Sequence, residues 1–462
     1  MKKQKMKKVF FYSLVIAVLA TTYSSCRKNT GEEPNPPVDP SELIIKGKVT
    51  ESRTLKAGND YTLDGIVYVT NGATLTVEPG VTVKASSGKL SALVVTREGK
   101  INAAGTATKP IVFTSGSATP KSGDWGGIVL LGKAPTNTSF NNQNGVGEIE
   151  GGVNDAEGNG LFGGNDPNHS SGVMQYVRIE YAGYAQYDDK ELNSLTMGGV
   201  GAGTKIDHIQ ITYANDDAFE WFGGTVNCSH LIAYKTLDDD FDADLGYSGK
   251  VQFGIVMRHP ERADKSKVES FETDNDGDGT EKSPQTSAIF SNITSIGPLA
   301  TPTTAISSYY LAGAQIRRWS TLSIHNSIFM GWPTGILIDD SKGVPTTNNI
   351  TSGKLQIKNT IVAGCTKPVD YANHKDKPVT WDLAKTTAWF NTVAYGNSIL
   401  TTVGDVKLAA PFNWSALDFT PQSSSPALTG ASFNGLTGFS SVAYKGAVGA
   451  GDIWWKGWTV WN

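Results

Sequence analysis

The sequence predicts an all-β protein, a single-stranded right-handed parallel β-helix with lateral loops. Only 18% of the 462 residues are charged and 51 are glycine, a composition that favours strands and turns over helices. Apolar and polar residues alternate in short runs, such as 74–77 and 111–113, between glycine, asparagine or proline, as expected of strands joined by tight turns. Related runs recur at offsets of about 22 and 26 residues, the length of one solenoid coil.

The N-terminus has the features of an export signal. Five lysines lie in residues 1–8, and an apolar run of twelve follows at 9–20, which is too short to span a membrane. The small residues before Cys26 resemble a bacterial lipobox. Residues 1–25 are therefore predicted to be a lipoprotein signal peptide and Cys26 the lipidated residue. Ordinary secretion, with Cys26 as a free thiol, is the alternative.

A polar, proline-rich segment follows the cysteine. Residues 26–42 show no apolar periodicity and are predicted to be a disordered tether. Charged residues directly after the cysteine resemble the export signal of surface lipoproteins in the Bacteroidetes. We therefore expect the protein to be lipid-anchored in the outer membrane and displayed on the cell surface, with the periplasmic face as the alternative.

The coils themselves are predicted for residues 43–462. Segment 208–220 aligns without a gap on 230–242, and three asparagines start matching runs about 33 residues apart, at 292, 326 and 359. Equivalent residues of successive coils lie about 4.8 Å apart. This spacing predicts an asparagine ladder at a turn and a stack of His208 on His230.

The sequence also predicts two lateral loops, two buried cysteines and a C-terminal cap. Segments 134–172 and 298–315 depart from the repeat and are predicted to be loops that wall a groove. Cys228 and Cys365 lie on apolar runs and are predicted to be small buried side chains. Four tryptophans near the C-terminus are predicted to form an aromatic cap over the last coil: Trp454, Trp455, Trp458 and Trp461.

Acidic residues recur in register on consecutive coils, in 208–220 and 230–242, and 271–274 continues the series. Carboxylates about 5 Å apart repel one another, so the ladder requires a cation or shared protons. Ca²⁺, which binds six to eight oxygens, is the expected cofactor. Segment 274–279 (D-N-D-G-D-G) resembles part of a calcium loop but has Gln285 at the twelfth position. The candidate metal ligands are Asp216, Asp217, Glu220, Asp238, Asp239, Asp242, Glu272, Asp274, Asp276 and Asp278. A solvated acidic turn is the alternative.

Basic residues define what else the acidic region could do. A lyase would need Lys250 or Arg258 as a base in the groove, and a hydrolase would set Asp217 against Asp239 as acid and base. No residue is predicted to be catalytic. Three arginines are candidate ligand-binding residues for an anionic sugar: Arg258, Arg317 and Arg318.

Four motifs resemble a known family. They are GATLTVEPG at 72–80, WGGIVLLG at 125–132, DDAFEWFGGT at 216–225 and GWPTG at 331–335. Together they resemble a family of secreted or surface β-helix lipoproteins of the Bacteroidetes whose role is uncharacterised. The resemblance covers nearly all of residues 45–462. It implies a pectate-lyase-like fold and no particular activity.

The predicted function is a cell-surface lipoprotein that serves as a calcium-stabilised binding platform for an extended ligand such as a polysaccharide, or for an outer-membrane protein partner. A polysaccharide lyase or glycoside hydrolase that uses the stacked acidic residues is one alternative, and a structural or adhesive surface protein is another. A formal charge of −4 argues against nucleic acid as a partner.

Overall fold

The structure, a computed structural model, describes residues 39–185, 191–374, 376 and 380–461. It is a right-handed parallel β-helix, as the sequence predicts: 27 strands join in one sheet that winds into a nearly closed solenoid. The predicted signal peptide, Cys26 and most of the tether lie outside the described residues. Within the described part of the chain, no helix has the length and apolar character needed to cross a membrane.

Each coil contributes strands to three faces, called A, B and C here. Face A contains Arg53–Leu55, Thr74–Val77, Lys100–Ala104, Ser323–His325 and Ile357–Lys358. Face B contains Thr82–Ala85, Ile111–Ser115, Ile328–Met330, Ile361–Ala363 and Ser398–Leu400. Long strands run from face A onto face B: Gly172–Glu180, Lys205–Thr212, Asn227–Tyr234, Lys250–Met257 and Ile289–Ile296.

Face C positions the acidic residues. It contains Ala92–Val95, Gly127–Leu131, Leu195–Gly198, Phe219–Phe222, Phe241–Asp244, Val268–Glu269, Phe271–Thr273, Tyr310–Ile316, Thr334–Asp339 and Lys367–Ala372. The first two strands, Ile44–Val49 and Asp60–Val69, run from face B onto face C.

Short elements lie outside the three faces. Antiparallel pairs are formed by Ser139–Phe140 with Gln143–Asn144, Gly147–Glu148 with Leu161–Phe162, and Leu408–Ala410 with Asp418–Pro421. The α-helices are Thr347–Thr351 and Leu383–Phe390, and the 3₁₀ helices are Pro40–Leu43, Val393–Tyr395, Val403–Val406 and Pro426–Leu428.

One residue with a left-handed backbone separates face A from face B in seven successive coils. These residues are Tyr176, His208, His230, Phe253, Asn292, Asn326 and Asn359. The His208 and His230 rings stack with centroids 4.1 Å apart, and Tyr176 stacks on His208 at 4.3 Å. Asparagine tolerates this backbone better than most residues do. The predicted histidine stack and the predicted asparagines therefore belong to one continuous ladder, the A–B ladder.

The C-terminal segment runs back along the A–B ladder. The Gln210 side chain donates to the Val460 carbonyl oxygen at 2.6 Å and accepts from its N–H at 2.9 Å. Asn326 pairs with the Ser432 backbone in the same two-bond manner, at 3.1 and 2.8 Å. Trp458 is buried against this flank. The C-terminal tryptophans therefore cover the side of the middle coils, which differs from the predicted cap on the last coil.

The last coil is covered by a different element. Helix Leu383–Phe390 packs on the last face-C strand, Lys367–Ala372, and Trp389 and Phe390 join the interior core of the solenoid. Cys228 is buried and Cys365 half-buried, and both are free thiols, in keeping with the predicted packing role.

Candidate functional site

The turn that leads from face B to face C carries the predicted acidic residues in the middle coils. Asp216 and Asp217 precede strand Phe219–Phe222, and the next coil repeats the arrangement with Asp238 and Asp239. Glu220 pairs with Asp242 in the parallel ladder. The 22-residue register predicted from the sequence is therefore present in the structure.

Strand alternation determines which side chains face outward. Phe219 and Trp221 are fully buried in the solenoid, so Glu220 between them projects from the opposite side of the strand. Asp242 occupies the equivalent position one coil later, and Glu272 follows it in the next coil. Glu220, Asp242 and Glu272 therefore form an outward column on face C.

A second column lies at the turn itself and is held by backbone hydrogen bonds. Asn193 Oδ1 accepts from the N–H of Asp217 at 3.2 Å, and Asp217 Oδ1 accepts from the N–H of Asp239 at 2.8 Å. Asp239 Oδ1 in turn accepts from the N–H of Glu269 at 2.6 Å. Glu269 was not predicted from the sequence. Its signal was an acidic residue two positions before Phe271, as Asp217 and Asp239 stand before their own phenylalanines.

The outward column and the second column, apart from Glu269, line a cavity of ≈ 390 Å³, called the acidic groove here. Its lining includes ten carboxylates and three cationic side chains. The carboxylates are Glu150, Glu191, Asp216, Asp217, Glu220, Asp238, Asp239, Asp242, Asp264 and Glu272, and the cations are Lys265, Lys267 and Arg317. Glu150 comes from the lateral loop 134–172, which therefore walls the groove as predicted. The loop at 298–315 does not line it and ends in strand Tyr310–Ile316.

Carboxylate oxygens converge at three points of this region. In each group the oxygens lie within 4.8 Å of one another. Two oxygens bound to one Ca²⁺ at its usual bond lengths are separated by about 5 Å or less, so the spacing suits that ion. The groups are Asp216 with Asp217 and Asp238, Asp217 with Glu220 and Asp242, and Asp239 with Glu269 and Glu272.

Burial makes these carboxyls hard to ionise. It raises the pKa of Asp242 to about 7 and that of Asp238 to about 6. The pKa values of Asp217, Glu220 and Asp239 are raised well above the ordinary range, first by burial and then by neighbouring carboxylates. Near neutral pH, the groove therefore retains protons unless a cation replaces them.

Unsatisfied oxygens indicate where a cation would be held. Asp242 Oδ1 and both carboxylate oxygens of Glu269 are buried and have no hydrogen-bond partner among the described residues. A buried carboxylate without a partner is costly. The donor set fits Ca²⁺, a hard cation that prefers oxygen ligands.

The predicted calcium loop at 274–279 is closed by its own hydrogen bonds. Asp276 accepts hydrogen bonds from the N–H groups of Asp278 and Thr280, at 2.9 and 3.0 Å, which closes a turn within the loop. The exposed Asp278 pairs with Lys342 at 3.2 Å. In the described part of the chain, Asp274, Asp276 and Asp278 belong to none of the cation groups.

The basic residues also differ from the sequence-based expectation. Arg258 is fully buried, and its guanidinium pairs with Asp240 at 2.9 Å, so Arg258 cannot reach a ligand in the groove. Lys250 lines a separate cavity beside Phe439. Neither residue can serve as the base of a lyase in the acidic groove. Arg317 does line the groove.

Arg318, the third predicted arginine, and Arg317 both form ion pairs with Asp274. Arg318 donates to Asp274, and Arg317 Nε donates to the same carboxylate at 2.8 Å. Arg318 does not line the groove. Asp274 therefore fixes both arginines, but only the Arg317 guanidinium reaches the acidic groove.

A fourth group of potential ligands lies on the A–B ladder. The Nδ1 atoms of His208 and His230 each lie 2.8 Å from the same Asp207 oxygen. The two rings are nearly parallel, at 19°, and the Asp207 carboxylate holds both nitrogens at hydrogen-bonding distance. The arrangement is a stacked pair fixed by Asp207, as the sequence spacing predicts.

Comparison with known proteins assigns the chain to a family. Residues 47–403 match the model of the pectate-lyase like beta helix domain. No curated protein and no solved structure gave a significant match. The match extends over more than half of the chain, and the chain therefore belongs to the pectate-lyase-like β-helix family.

Proposed function

We propose that this protein is a cell-surface lipoprotein that binds an extended carbohydrate in its acidic groove with the help of Ca²⁺. The observation that carries the proposal is the groove itself, where ten carboxylates face three cationic side chains. Membership of a pectate-lyase-like family supports a carbohydrate as the ligand. The cavity volume of ≈ 390 Å³ lies within the range of ligand sites.

The roles of the residues follow from their placement. Asp217 belongs to two of the oxygen groups, one with Asp216 and Asp238 and one with Glu220 and Asp242. These five carboxylates would hold Ca²⁺ in the groove. The bound cation would supply positive charge that attracts carboxylate or hydroxyl oxygens of a sugar. Asp217 and Asp239 would fix the position of that charge, because each accepts a hydrogen bond from a backbone N–H of the next coil.

The location is part of the same proposal. Lipidation at Cys26 and a polar tether would hold the β-helix away from the membrane, where an extended polymer can reach the groove. Replacing Cys26 by Ser should release the exported protein from the membrane fraction. Proteolysis of intact cells that carry the wild-type protein distinguishes the two locations, because a protease added outside should cleave the protein only if it is displayed on the cell surface.

The test is the chain length of acidic and neutral polysaccharides after incubation with the protein lacking residues 1–26. The expected result is intact polymer that co-elutes with the protein in millimolar Ca²⁺ and separates from it in chelator. Asp217→Asn should abolish co-elution, whereas Asp278→Asn, an exposed acid outside the groove, should not. Co-elution that persists in chelator would contradict the role of the cation.

A glycoside hydrolase is a second candidate, favoured by one observation. Glu220 and Asp242 offer oxygens within 4.8 Å of each other, and the pKa of Asp242 is raised to about 7. Retaining glycosidases use a close pair of carboxyls of which one is protonated and one ionised. Burial raises the pKa of Glu220 as well, so this pair would match that arrangement after losing one of its two protons. Shortened chains that disappear with Asp242→Asn would establish this activity. If the polymer neither binds nor shortens, a structural or adhesive role remains.

A further inference from the structure

Arg317 lies inside a groove that is otherwise lined mainly by acids. It follows strand Tyr310–Ile316 on face C, and its side chain is 20% exposed. Nε donates to Asp274 Oδ1 at 2.8 Å, and Nη2 donates to Glu272. The guanidinium is therefore held by two carboxylates, one of which is Glu272, the last member of the outward column.

Glu272 also belongs to one of the three groups of converging oxygens. That group, the inner cluster, consists of Asp239, Glu269 and Glu272, whose oxygens lie within 4.8 Å of one another. Glu269 is 1% exposed. Neither of its carboxylate oxygens has a hydrogen-bond partner in the described regions of the chain. A buried carboxylate that points into the cluster without a partner is independent evidence that the cluster accommodates a cation.

We propose that Arg317 is a tethered counter-cation of the inner cluster, and that its guanidinium competes with a divalent cation for Glu272. The inference rests on the proposed function, because the divalent cation is the one that the groove would bind. It assigns to Arg317 a role other than binding an anionic sugar. Arg317 would set how tightly the groove holds its cations.

The physical reason is repulsion between like charges. A guanidinium bonded to Glu272 and a divalent cation bonded to the same carboxylate lie only a few ångströms apart, and this repulsion is strong where water is scarce. In addition, the Glu272 carboxylate cannot take the best orientation for the guanidinium and the best orientation for the cation at the same time. Removing the guanidinium should therefore strengthen cation binding, although most substitutions in a binding site weaken it.

The chain offers a matched control. Arg318 carries the same charge and donates to Asp274, yet it does not line the groove. Arg318→Gln should therefore change the local charge without freeing Glu272. Glu269→Gln removes the unpartnered carboxylate and should cancel any gain that arises at the inner cluster.

The experiment is calorimetric titration of the purified full-length protein with CaCl₂ after chelator treatment. Arg317→Gln should tighten Ca²⁺ binding about tenfold or more, Arg318→Gln should leave it within about twofold, and Arg317→Gln/Glu269→Gln should lose the gain. Circular dichroism checks folding. If Arg317→Gln does not fold, the charge-balanced Arg317→Gln/Glu272→Gln variant replaces it and should bind Ca²⁺ about as tightly as the wild type.

The outcomes separate this inference from the proposed function. Calcium binding by the wild type with unchanged or weaker binding by Arg317→Gln overturns the role of Arg317 alone. So does a charge-balanced variant that binds much more weakly than the wild type. Binding by Arg317→Gln but not by the wild type supports competition and overturns calcium as the natural ligand. If neither binds, both proposals fail.

Discussion

Replacing Glu269 by Gln should stabilise the cation-free protein at alkaline pH and destabilise the calcium-loaded protein. Glu269 is 1% exposed, and its two carboxylate oxygens have no hydrogen-bond partner among the described residues. Its N–H donates to Asp239 Oδ1 at 2.6 Å, which fixes the backbone of Glu269 in the column. Without a cation, the ionised carboxylate is a cost to the folded state.

The size of that cost follows from the pKa. Burial raises the pKa of Glu269 from 4.5 to about 7. Below pH 4.5 the carboxyl is protonated in both the folded and the unfolded chain, and it imposes no penalty. Between pH 4.5 and 7 the unfolded chain ionises this group while the folded protein still holds the proton, so the free energy of unfolding falls by roughly 3 kcal/mol and stays at the lower value above pH 7. Gln does not ionise and avoids this loss.

The assay is thermal unfolding of wild type and Glu269→Gln in chelator from pH 4 to pH 8. The stability difference should grow by roughly 3 kcal/mol in favour of the variant, or about 3 °C in melting temperature for a chain of this length. In saturating Ca²⁺ at pH 8 the order should reverse, because Gln removes a charged ligand. Glu281→Gln, at an exposed position, is the control. A difference that stays constant across the pH range in chelator would refute the reasoning.

Three further outcomes are expected. Calcium affinity measured by calorimetry should fall by about tenfold per pH unit for each proton displaced between pH 7 and pH 5, because protonation of Asp242, whose pKa is raised to about 7, competes with the cation. Arg258→Met should lower the free energy of unfolding in urea by about 3–5 kcal/mol, since it leaves Asp240 buried without its counter-charge, and a second change of Asp240 to Asn should recover most of the loss. Asn326→Leu should cost about 1–3 kcal/mol and increase proteolysis of the C-terminal segment, because Ser432 loses its paired hydrogen bonds. Full stability of Arg258→Met, or unchanged proteolysis of Asn326→Leu, would contradict these assignments.

The sequence was sufficient wherever one coil repeats the next without interruption. The gapless alignment of 208–220 with 230–242 predicted the pairing of Glu220 with Asp242. The following coil is longer, because an inserted segment separates Phe241 from Phe271. That change of length concealed Glu269 as the next member of the buried column.

Contacts between segments that no sequence repeat relates could not be predicted in the same way. Gln210 and Val460 are 250 residues apart in the chain and have no repeat that relates them. The tryptophans near the C-terminus therefore suggested an end cap, although they pack on the flank. The burial of Arg258 could not be predicted for the same reason. It depends on the ion pair with Asp240, and no spacing in the sequence indicates that pair.

A parallel β-helix places equivalent residues of successive coils about 4.8 Å apart, whatever their chemistry. On the A–B ladder this spacing stacks the His208 and His230 rings, which contributes to the packing of the fold. At the turn into face C the same spacing stacks Asp217, Asp239 and Glu269, which lowers stability unless protons or a cation neutralise them. The histidine stack therefore stabilises the fold, whereas the column of acids destabilises it. Neutral substitutions in the acidic column should therefore weaken cation binding without lowering the stability of the cation-free protein, whereas changes in the A–B ladder should lower that stability.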